Sequence, residues 1–367
     1  MKKIIAMILA LVMVFALVAC GQKASDEGYN LGYNTWGAGT ATFDFMADVI
    51  EQAVAASGST ASRANDEHMA DKELANIQNF VNAGVDGIVM QTAADPVLPE
   101  AAADCLEAKI PFVMSTFTGT DECRADLSAN NEYYLGSVNA TMEAEGYLMG
   151  QAAAADGHKT ALLLGGNVGD PHFEQRIAGF TKAFVEEAGG KILGEARCAN
   201  PGEGQEKANA MLSATPDADC LFAMVGDYVP GAVNAMETLG ITDMPIYCSN
   251  ANTDAIPYIR NGKIAAATTG NDLVGTVATA LLINYLDGHK IVDENGKVPE
   301  FKSVGFVVNT ENVDKYEEIF LTKGVPFPEE VIQQLMYRYN KDVTYADFKD
   351  FVDNKLNLDA IVEMWAE

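Results

Sequence analysis

The sequence predicts an α/β protein of two lobes, each built on a parallel β-sheet that helices cover on both faces. Short apolar runs alternate along the chain with longer amphipathic stretches, as strands and helices do in a parallel α/β layer. The apolar runs are not interrupted by alternating polar residues, which indicates burial on both faces. The chain has 367 residues, and one sheet of about nine strands would be large, so two sheets fit the usual domain size better.

The first strand and helix show this organisation. A strand over residues 30–35 leads through a Gly-rich turn into a helix whose apolar face runs from Phe43 to Val54. Gly58 is a typical residue for the end of that helix. The same reasoning predicts helices at 73–81 and 95–109 and further strands at 85–90, 110–114, 160–164, 191–197, 219–225, 244–248 and 263–268.

The last part of the chain is predicted to be a helical extension that packs against a lobe or against the connection between the lobes. Three stretches have apolar residues at roughly helical spacing, at 313–320, 328–339 and 345–365. The mixed Asp and Lys residues at 342–355 do not have the spacing of a calcium-binding loop, so they predict a solvated face.

Composition and motifs exclude several classes of function. The chain has 52 acidic and 24 basic side chains and a net charge of −28, whereas nucleic-acid affinity depends on Lys and Arg that neutralise phosphates. The G-x-S-x-G, H-E-x-x-H and phosphate-loop motifs are absent from the sequence, and its four His residues are scattered. The sequence therefore predicts a protein that is not an enzyme and needs no metal and no cofactor.

The N-terminus predicts export and attachment to a membrane. Residues 2 and 3 are Lys, and an apolar run follows over 4–19 that is shorter than a membrane-spanning helix needs. The segment Leu-Val-Ala-Cys-Gly ending at Gly21 resembles the lipobox of bacterial lipoproteins. The resemblance implies that Cys20 becomes the first residue of the mature protein and carries the lipid, with residues 21–28 as a tether.

The other cysteines do not define a disulfide pattern. Five remain after Cys20, and an odd number cannot all pair within one chain. Small buried hydrophobic side chains are the favoured interpretation, and one disulfide stays open in an exported protein. The residues concerned are Cys105, Cys123, Cys198, Cys220 and Cys248.

Six segments of the chain together carry a resemblance to a known family. The first is ELANIQNFVNAGVDGIVMQTAADP, with its Gly-Val-Asp-Gly-Ile turn into a strand. The others are KIPFVMSTFTG, ANNEYYLG, RIAGFTKAF, PDADCLFAMVGDYVPGAVNAMETLG and GKIAAATTGND. In this order they resemble the periplasmic sugar-binding proteins of the ribose/galactose type, which are class I solute-binding proteins of ABC transporters, over residues 29–306.

The resemblance implies two Rossmann-like lobes joined by three chain crossovers, a periplasmic binding protein type 1 fold. The crossovers are expected near Asn130, near residues 270 and 271, and near Phe301. The expected N-terminal lobe comprises residues 29–129 and 272–300, the C-terminal lobe 130–271 and 301–322, and the helical extension 323–367.

The resemblance also implies a ligand site in the cleft, where the carboxyl ends of both sets of strands meet. The family places polar and aromatic contacts after these strands, and Phe43 is as well explained as part of a helical core. Relatives often carry an Asp-Arg pair where this chain has Ser115, Thr116 and Phe117. The implied first-lobe residues are Asn34, Trp36, Phe43, Gln91, Thr116 and Phe117.

The second lobe is implied to supply planar polar groups that match vicinal hydroxyls. Arg176 stands in the pattern R-x-x-G-F that carries the family's ligand Arg. His172 nearby could reach the cleft, although a solvated loop is the favoured position. The remaining candidates follow the next strands: Asp227, Asn250 (or Asn252) and Asp272 (or Asn271).

The resemblance implies a monomeric, lipid-anchored, extracytoplasmic solute-binding protein that delivers a small polar ligand to an ABC permease. A monosaccharide is the favoured ligand class. Two alternatives stay open: a receptor for a signalling molecule such as autoinducer-2, and a nucleoside-binding lipoprotein.

Overall fold

The computed structural model describes residues 28–92 and 95–366, so the predicted signal segment and Cys20 lie outside the described residues. Two six-stranded sheets form the centres of two α/β lobes. The predicted fold class is confirmed, because every strand pair is parallel except the pair that the strand Phe306–Val308 forms at the edge of the second sheet.

The first sheet has the strand order β11-β5-β4-β3-β1-β2, and the second has the order β12-β10-β9-β8-β6-β7. The first-sheet strands are β1 Asn30–Thr35, β2 Thr60–Asn65, β3 Gly87–Thr92, β4 Phe112–Thr118, β5 Tyr134–Ala140 and β11 Glu300–Ser303. The second-sheet strands are β6 Thr160–Leu164, β7 Lys191–Ala196, β8 Cys220–Ala223, β9 Ile246–Cys248, β10 Ile264–Thr269 and β12 Phe306–Val308.

Helices connect the strands and cover both sheets. Those of the first lobe are α1 Ala41–Ala56, α2 Ala70–Ala83, α3 Leu98–Ala108, α4 Asp121–Asn130 and α10 Val274–Leu286. Those of the second lobe are α5 Met142–Ala155, α6 Pro171–Phe180, α7 Gly204–Ala214, α8 Val229–Leu239, α9 Ile256–Arg260 and α11 Val313–Tyr316. Wider helical turns prolong α6 to Glu187 and α11 to Thr322.

The sequence-based prediction missed strands that lack a long apolar run. Strand β2 is mostly exposed and polar because it lies at the edge of the first sheet. Strand β5 pairs with β4 inside the first sheet, so the first crossover follows Ala140 and does not lie near Asn130. Residues 134–140 therefore belong to the first lobe and not, as predicted, to the second.

The other two crossovers lie close to the predicted positions. The chain leaves β10 of the second sheet at Thr269 and enters α10 of the first lobe at Val274. It leaves β11 at Ser303 and enters β12 at Phe306, a few residues after the expected point at Phe301.

The C-terminal extension crosses back to the first lobe a fourth time. The chain leaves the second lobe after Thr322, and the extension then forms α12 Glu329–Gln334, α13 Tyr345–Asp350 and α14 Leu358–Met364. Asn284 of α10 donates from Nδ2 to the carbonyl of Leu335 at 2.8 Å, and its Oδ1 accepts from the amide of Tyr337 at 2.6 Å.

The long helix predicted at 345–365 is broken into α13 and α14, and Asn357 caps the second of them.

One buried ion pair fastens the extension to the first lobe. The guanidinium of Arg338 donates to both carboxylate oxygens of Asp287, at 2.9 and 2.6 Å, and to the carbonyl of Ser57 at 2.5 Å. The side chain of Asp287 is 0% exposed, and the hydroxyl of Tyr29 donates to it at 2.9 Å. The extension is therefore built into the lobe.

The five cysteines of the described chain are all free, and only Cys123 is not buried. Within residues 28–92 and 95–366, no cluster of His, Cys, Asp or Glu has a metal-binding arrangement. None of the helices in the same ranges is long and apolar enough to cross a membrane.

Candidate ligand-binding site

A cavity of about 490 Å³ lies between the two lobes, at the carboxyl ends of their strands. Both lobes contribute to it. First-lobe residues that line it are Trp36, Thr40, Thr42, Phe43, Met46, His68 and Phe117. The rest of the lining is Met142, Glu145, Asn167, Asp170, His172, Phe173, Arg176, Ala199, Asn200, Val225, Asp227, Tyr228, Asn250 and Asp272.

Most of the site residues predicted from the sequence meet at this cavity, and three do not line it. Those that do come from separate loops and helices and from strand β4, which the two sheets bring together. The lining residues among them are Trp36, Phe43, Phe117, Arg176, Asp227, Asn250 and Asp272. The three outside the lining are Asn34, Gln91 and Thr116.

Asn34 cross-links strands inside the first lobe. Its Nδ2 donates to Asp66 and to the carbonyl of Gln91, both at 2.7 Å, while its Oδ1 accepts from the Gln91 amide at 3.0 Å. All of its polar atoms are thus used within the lobe. The side chain of Gln91 is 1% exposed, and neither end of its amide has a hydrogen-bond partner among the described residues.

Thr116 is buried in a strained backbone conformation. Its φ is +63°, a left-handed value that β-branched residues rarely adopt. The strain lies in β4, one residue before Phe117, which lines the cavity. Backbone strain of this kind concentrates at functional sites.

The first lobe forms an aromatic and apolar wall of the cavity. The ring centroids of Trp36 and Phe43 lie 5.9 and 5.4 Å from that of His68, in edge-on arrangements. Trp36 and Phe43 also pack against a cluster that contains Met46 and Phe117. Phe43 thus belongs both to the cavity lining and to a small hydrophobic cluster.

A buried ion pair lies on the second-lobe side, next to the hinge. Nε of Arg176 donates to Oε2 of Glu145 at 2.6 Å, and Nδ2 of Asn271 donates to Oε1 of Glu145 at 2.8 Å. Arg176 is 5% and Glu145 is 1% exposed. Because only Nε is committed to this pair, the two terminal nitrogens of Arg176 are available to a ligand.

Two glycines bring the helices of this pair into close contact. A Cβ atom at Gly146 would lie 1.9 Å from the carbonyl oxygen of Arg176, and one at Gly179 would lie 1.9 Å from the carbonyl oxygen of Glu143. Helices α5 and α6 can therefore approach only because both positions lack a side chain. The close approach places Glu145 within hydrogen-bonding reach of Arg176.

The pKa of Asp272, at the second crossover, is raised well above its ordinary value. Burial, together with the nearby charge of Glu145, raises its pKa from the ordinary value of 3.8 to about 7, although Arg176 acts in the opposite direction. Between about pH 4 and pH 7, the folded protein holds a proton on Asp272 that the unfolded chain has released. This contribution therefore makes the protein less stable as pH rises through that window, by up to about 1.4 kcal/mol per pH unit.

The replacement Asp272→Asn should remove this pH dependence. We expect the variant to gain stability relative to the unmodified protein as pH rises from 5 to about 7.5, because the amide has no charge to desolvate. Urea unfolding at several pH values measures the difference. The exposed Asp243→Asn is the control and should show a constant difference. A constant difference for Asp272→Asn as well would contradict the assignment.

Asp227 and Asn250 present polar groups after β8 and β9. Oδ1 of Asp227 accepts from Nδ2 of Asn252 at 2.5 Å. Burial raises the pKa of Asp227, and the hydrogen bond from Asn252 opposes that rise. Asn250 has a φ of +63°, which Asn tolerates better than most residues. Asn252 thus holds Asp227 in place, while Asn250 lines the cavity beside it.

His172 lines the cavity and is not on a solvated loop as the sequence suggested. Its Nδ1 lies 3.2 Å from Oδ1 of Asp170, the residue that caps α6. The ring centroids of His172 and Phe117 are 4.6 Å apart. Because Phe117 belongs to the first lobe, this contact joins the two lobes across the cavity.

Several lining residues were missed from the sequence. His68 follows a polar edge strand in a turn with positive φ values at Glu67 and His68, and no local pattern marks such a turn. Glu145 lies in the first turn of α5, where an acidic residue is expected in any case. The signal that could have found it is the buried position of Arg176, since a buried guanidinium needs a carboxylate partner.

Comparison with known proteins places the chain in a family. A model of the periplasmic binding protein domain matches residues 32–290, more than half of the chain. The chain therefore belongs to the periplasmic binding protein domain family. It is similar to the ribose import binding protein RbsB of Salmonella typhimurium, with 22% identity over 228 residues, which are 60% of this chain and 72% of that protein.

Solved structures with the same fold include several sugar-bound proteins. A solute-binding protein from Actinobacillus succinogenes with bound D-allose has a TM-score of 0.70 and 19% identity over 78% of this chain and 100% of that one. A carbohydrate transporter protein from Acidothermus cellulolyticus in complex with myo-inositol has a TM-score of 0.67 and 22% identity, over 81% of this chain and 99% of that one. At these identities the likeness shows the fold.

Proposed function

We propose that the protein is the extracytoplasmic solute-binding component of an ABC transporter. It captures a small polar ligand, with a monosaccharide as the favoured class, and delivers it to a permease in the membrane. The protein works as a monomer, and it does not change the ligand chemically. The observation that carries this proposal is the cavity between the lobes, to which both lobes contribute.

The composition of the cavity supports a sugar ligand. Arg176, Asp227 and Asn250 offer planar donors and acceptors that suit vicinal hydroxyls. Trp36 and Phe117 offer rings on which the C–H faces of a sugar stack. Related proteins named for ribose import and solved with D-allose support the same class.

Ligand binding would drive closure of the lobes. A ligand that bonds to both walls of the cavity has a higher affinity for the closed state and so shifts the population toward it. The contact of Phe117 with His172 across the cavity is available only when the lobes approach. The permease would recognise the surface of the closed form.

A thermal-shift screen tests this function. The full chain in detergent is unfolded and refolded to remove bound ligand, then heated with monosaccharides, polyols, nucleosides and autoinducer-2. We expect a sugar at 100 times its dissociation constant to stabilise the protein by about 2.7 kcal/mol, which raises the midpoint by a few degrees. No shift with any compound, for protein shown to be refolded, would contradict solute capture.

The lipid anchor at Cys20 is a separate part of the proposal. We expect the protein expressed in bacteria to incorporate labelled fatty acid and to partition into a detergent phase, because acyl chains bind hydrocarbon. Cys20→Ser should abolish both. Cys123→Ser is the matched control, since Cys123 is the described cysteine that is not buried, and it should leave both unchanged. Labelling that persists in Cys20→Ser would contradict the anchor.

A further inference from the structure

The volume of the cavity exceeds what a monosaccharide needs. At the packing density of protein interiors, a single sugar ring with its hydroxyls occupies roughly 200 Å³. The cavity measures about 490 Å³, although Phe117 and His172 already meet across it. A single sugar ring therefore leaves more than half of this volume unfilled.

The two walls of the cavity differ in chemistry. Among the described residues, the first lobe contributes no carboxylate, Lys or Arg to the lining, and its polar lining groups are Thr40, Thr42 and His68. Charged groups come instead from the second lobe and from Asp272 at the crossover. One wall therefore suits hydroxyl groups, and the other suits a flat apolar group.

The aromatic wall is larger than stacking against one sugar face requires. Trp36 and Phe43 each contact the ring of His68 edge to face, and both pack against a cluster that contains Met46 and Phe117. Aromatic rings arranged around a cavity bind planar π-systems, and the polarisable thioether of Met contacts ring edges favourably.

The charges around the cavity favour a neutral ligand. Arg176 is the only Lys or Arg among the described lining residues, and it is paired with Glu145. Asp170 and Asp227 add further acidic groups, and Asp272 becomes charged above about pH 7. A phosphate or carboxylate on the ligand would meet like charges, while Glu145 already balances the charge of Arg176.

We infer that the ligand is a neutral glycoside in which a sugar is joined to a flat aromatic ring, as in a nucleoside or an aryl glycoside. The sugar contacts Arg176, Asp227 and Asn250, and the ring stacks on the wall that contains Trp36 and Phe43. This inference rests on the proposed function, which it makes more specific. Nucleosides and aryl glycosides share this chemistry, and the titration described next distinguishes between them.

Calorimetric titration of the refolded full chain tests the inference with matched ligands. Ribose and methyl riboside are compared with adenosine and uridine, and galactose and methyl galactoside with para-nitrophenyl galactoside. The methyl glycosides control for the glycosidic bond itself. We expect an aromatic ring to tighten binding about tenfold or more over the matched methyl glycoside, because stacking on aromatic side chains contributes that much.

Each outcome has a defined meaning. A gain with the nucleosides or with the aryl galactoside supports the inference and identifies the source. Free sugars that bind as tightly as their aromatic glycosides would overturn the inference and leave the proposed function standing. Failure of every sugar and glycoside to bind would overturn both.

Variants of the aromatic wall provide a second readout. Trp36→Leu should reduce the advantage of the aromatic glycoside over its methyl glycoside severalfold, while changing the affinity for the methyl glycoside less. Trp365→Leu is the matched control, because the second Trp of the chain lies in the extension and bonds to the carbonyl of Pro326. An unchanged affinity ratio in Trp36→Leu would contradict stacking at this wall.

Discussion

Arg176→Ala is expected to abolish measurable ligand binding and to lower the free energy of unfolding by about 3–5 kcal/mol. Binding is lost because the variant removes the only guanidinium in the cavity lining of the described chain. Stability is lost because the carboxyl group of Glu145, which is 1% exposed, loses the guanidinium that pairs with it. Calorimetric titration and urea unfolding measure the two effects.

A double variant separates the two effects. Arg176→Met combined with Glu145→Gln removes both charges and keeps the acceptor for Asn271, so most of the stability should return while binding stays absent. Arg260→Ala is the matched control, because Arg260 forms ion pairs at the surface of the second lobe. It should cost less than about 1 kcal/mol. Binding near the original affinity in the double variant would show that Arg176 does not contact the ligand.

Arg338→Ala is expected to lower the free energy of unfolding by about 3–5 kcal/mol without weakening ligand binding. The buried carboxylate of Asp287 would lose the guanidinium that binds both of its oxygens. Arg338 also packs over the ring of Tyr29, at 5.0 Å from its centroid. The ion pair is remote from the cavity lining, so affinity measured below the unfolding transition should stay the same.

The extension also supplies a control for this prediction. Lys349 pairs with Asp353 four residues later on an exposed helical surface. Lys349→Ala should change the stability by less than about 1 kcal/mol, as exposed pairs usually do. A similarly small loss for Arg338→Ala would show that the extension contributes little to the stability of the first lobe.

The fold could be predicted where a buried strand appears in the sequence as a run of apolar residues. Strand β6 lies at the residues predicted, and β8 and β9 lie within the predicted runs, because all three are fully or almost fully buried apolar segments. Strand β2 escaped prediction because an edge strand needs no apolar run. The break before Asn357 was missed because apolar residues continue at nearly helical spacing on both sides.

The candidate site could be predicted where a residue follows a strand. Asp227 and Asn250 were found in this way, since the carboxyl ends of parallel strands converge at one edge of a sheet. The same rule selected Asn34, which lies at the correct edge of the sheet. Its side-chain amide, however, donates hydrogen bonds to Asp66 and to the carbonyl of Gln91. Sequence position cannot distinguish a side chain that points into a cavity from one that cross-links strands. Glu145 lies in helix α5, so a rule about residues that follow strands could not identify it.

The fourth crossing is a short connection between the lobes that restricts how far they can move apart. Residues 323–328 run from the end of the α11 segment to the start of α12. Six residues span at most roughly 20 Å when fully extended. The ring of Phe320, just before this span, lies 6.0 Å from that of Phe45 on the opposite lobe. The length of residues 323–328 sets an upper limit on how widely the cleft can open. Each opening of the cleft must also separate the rings of Phe45 and Phe320.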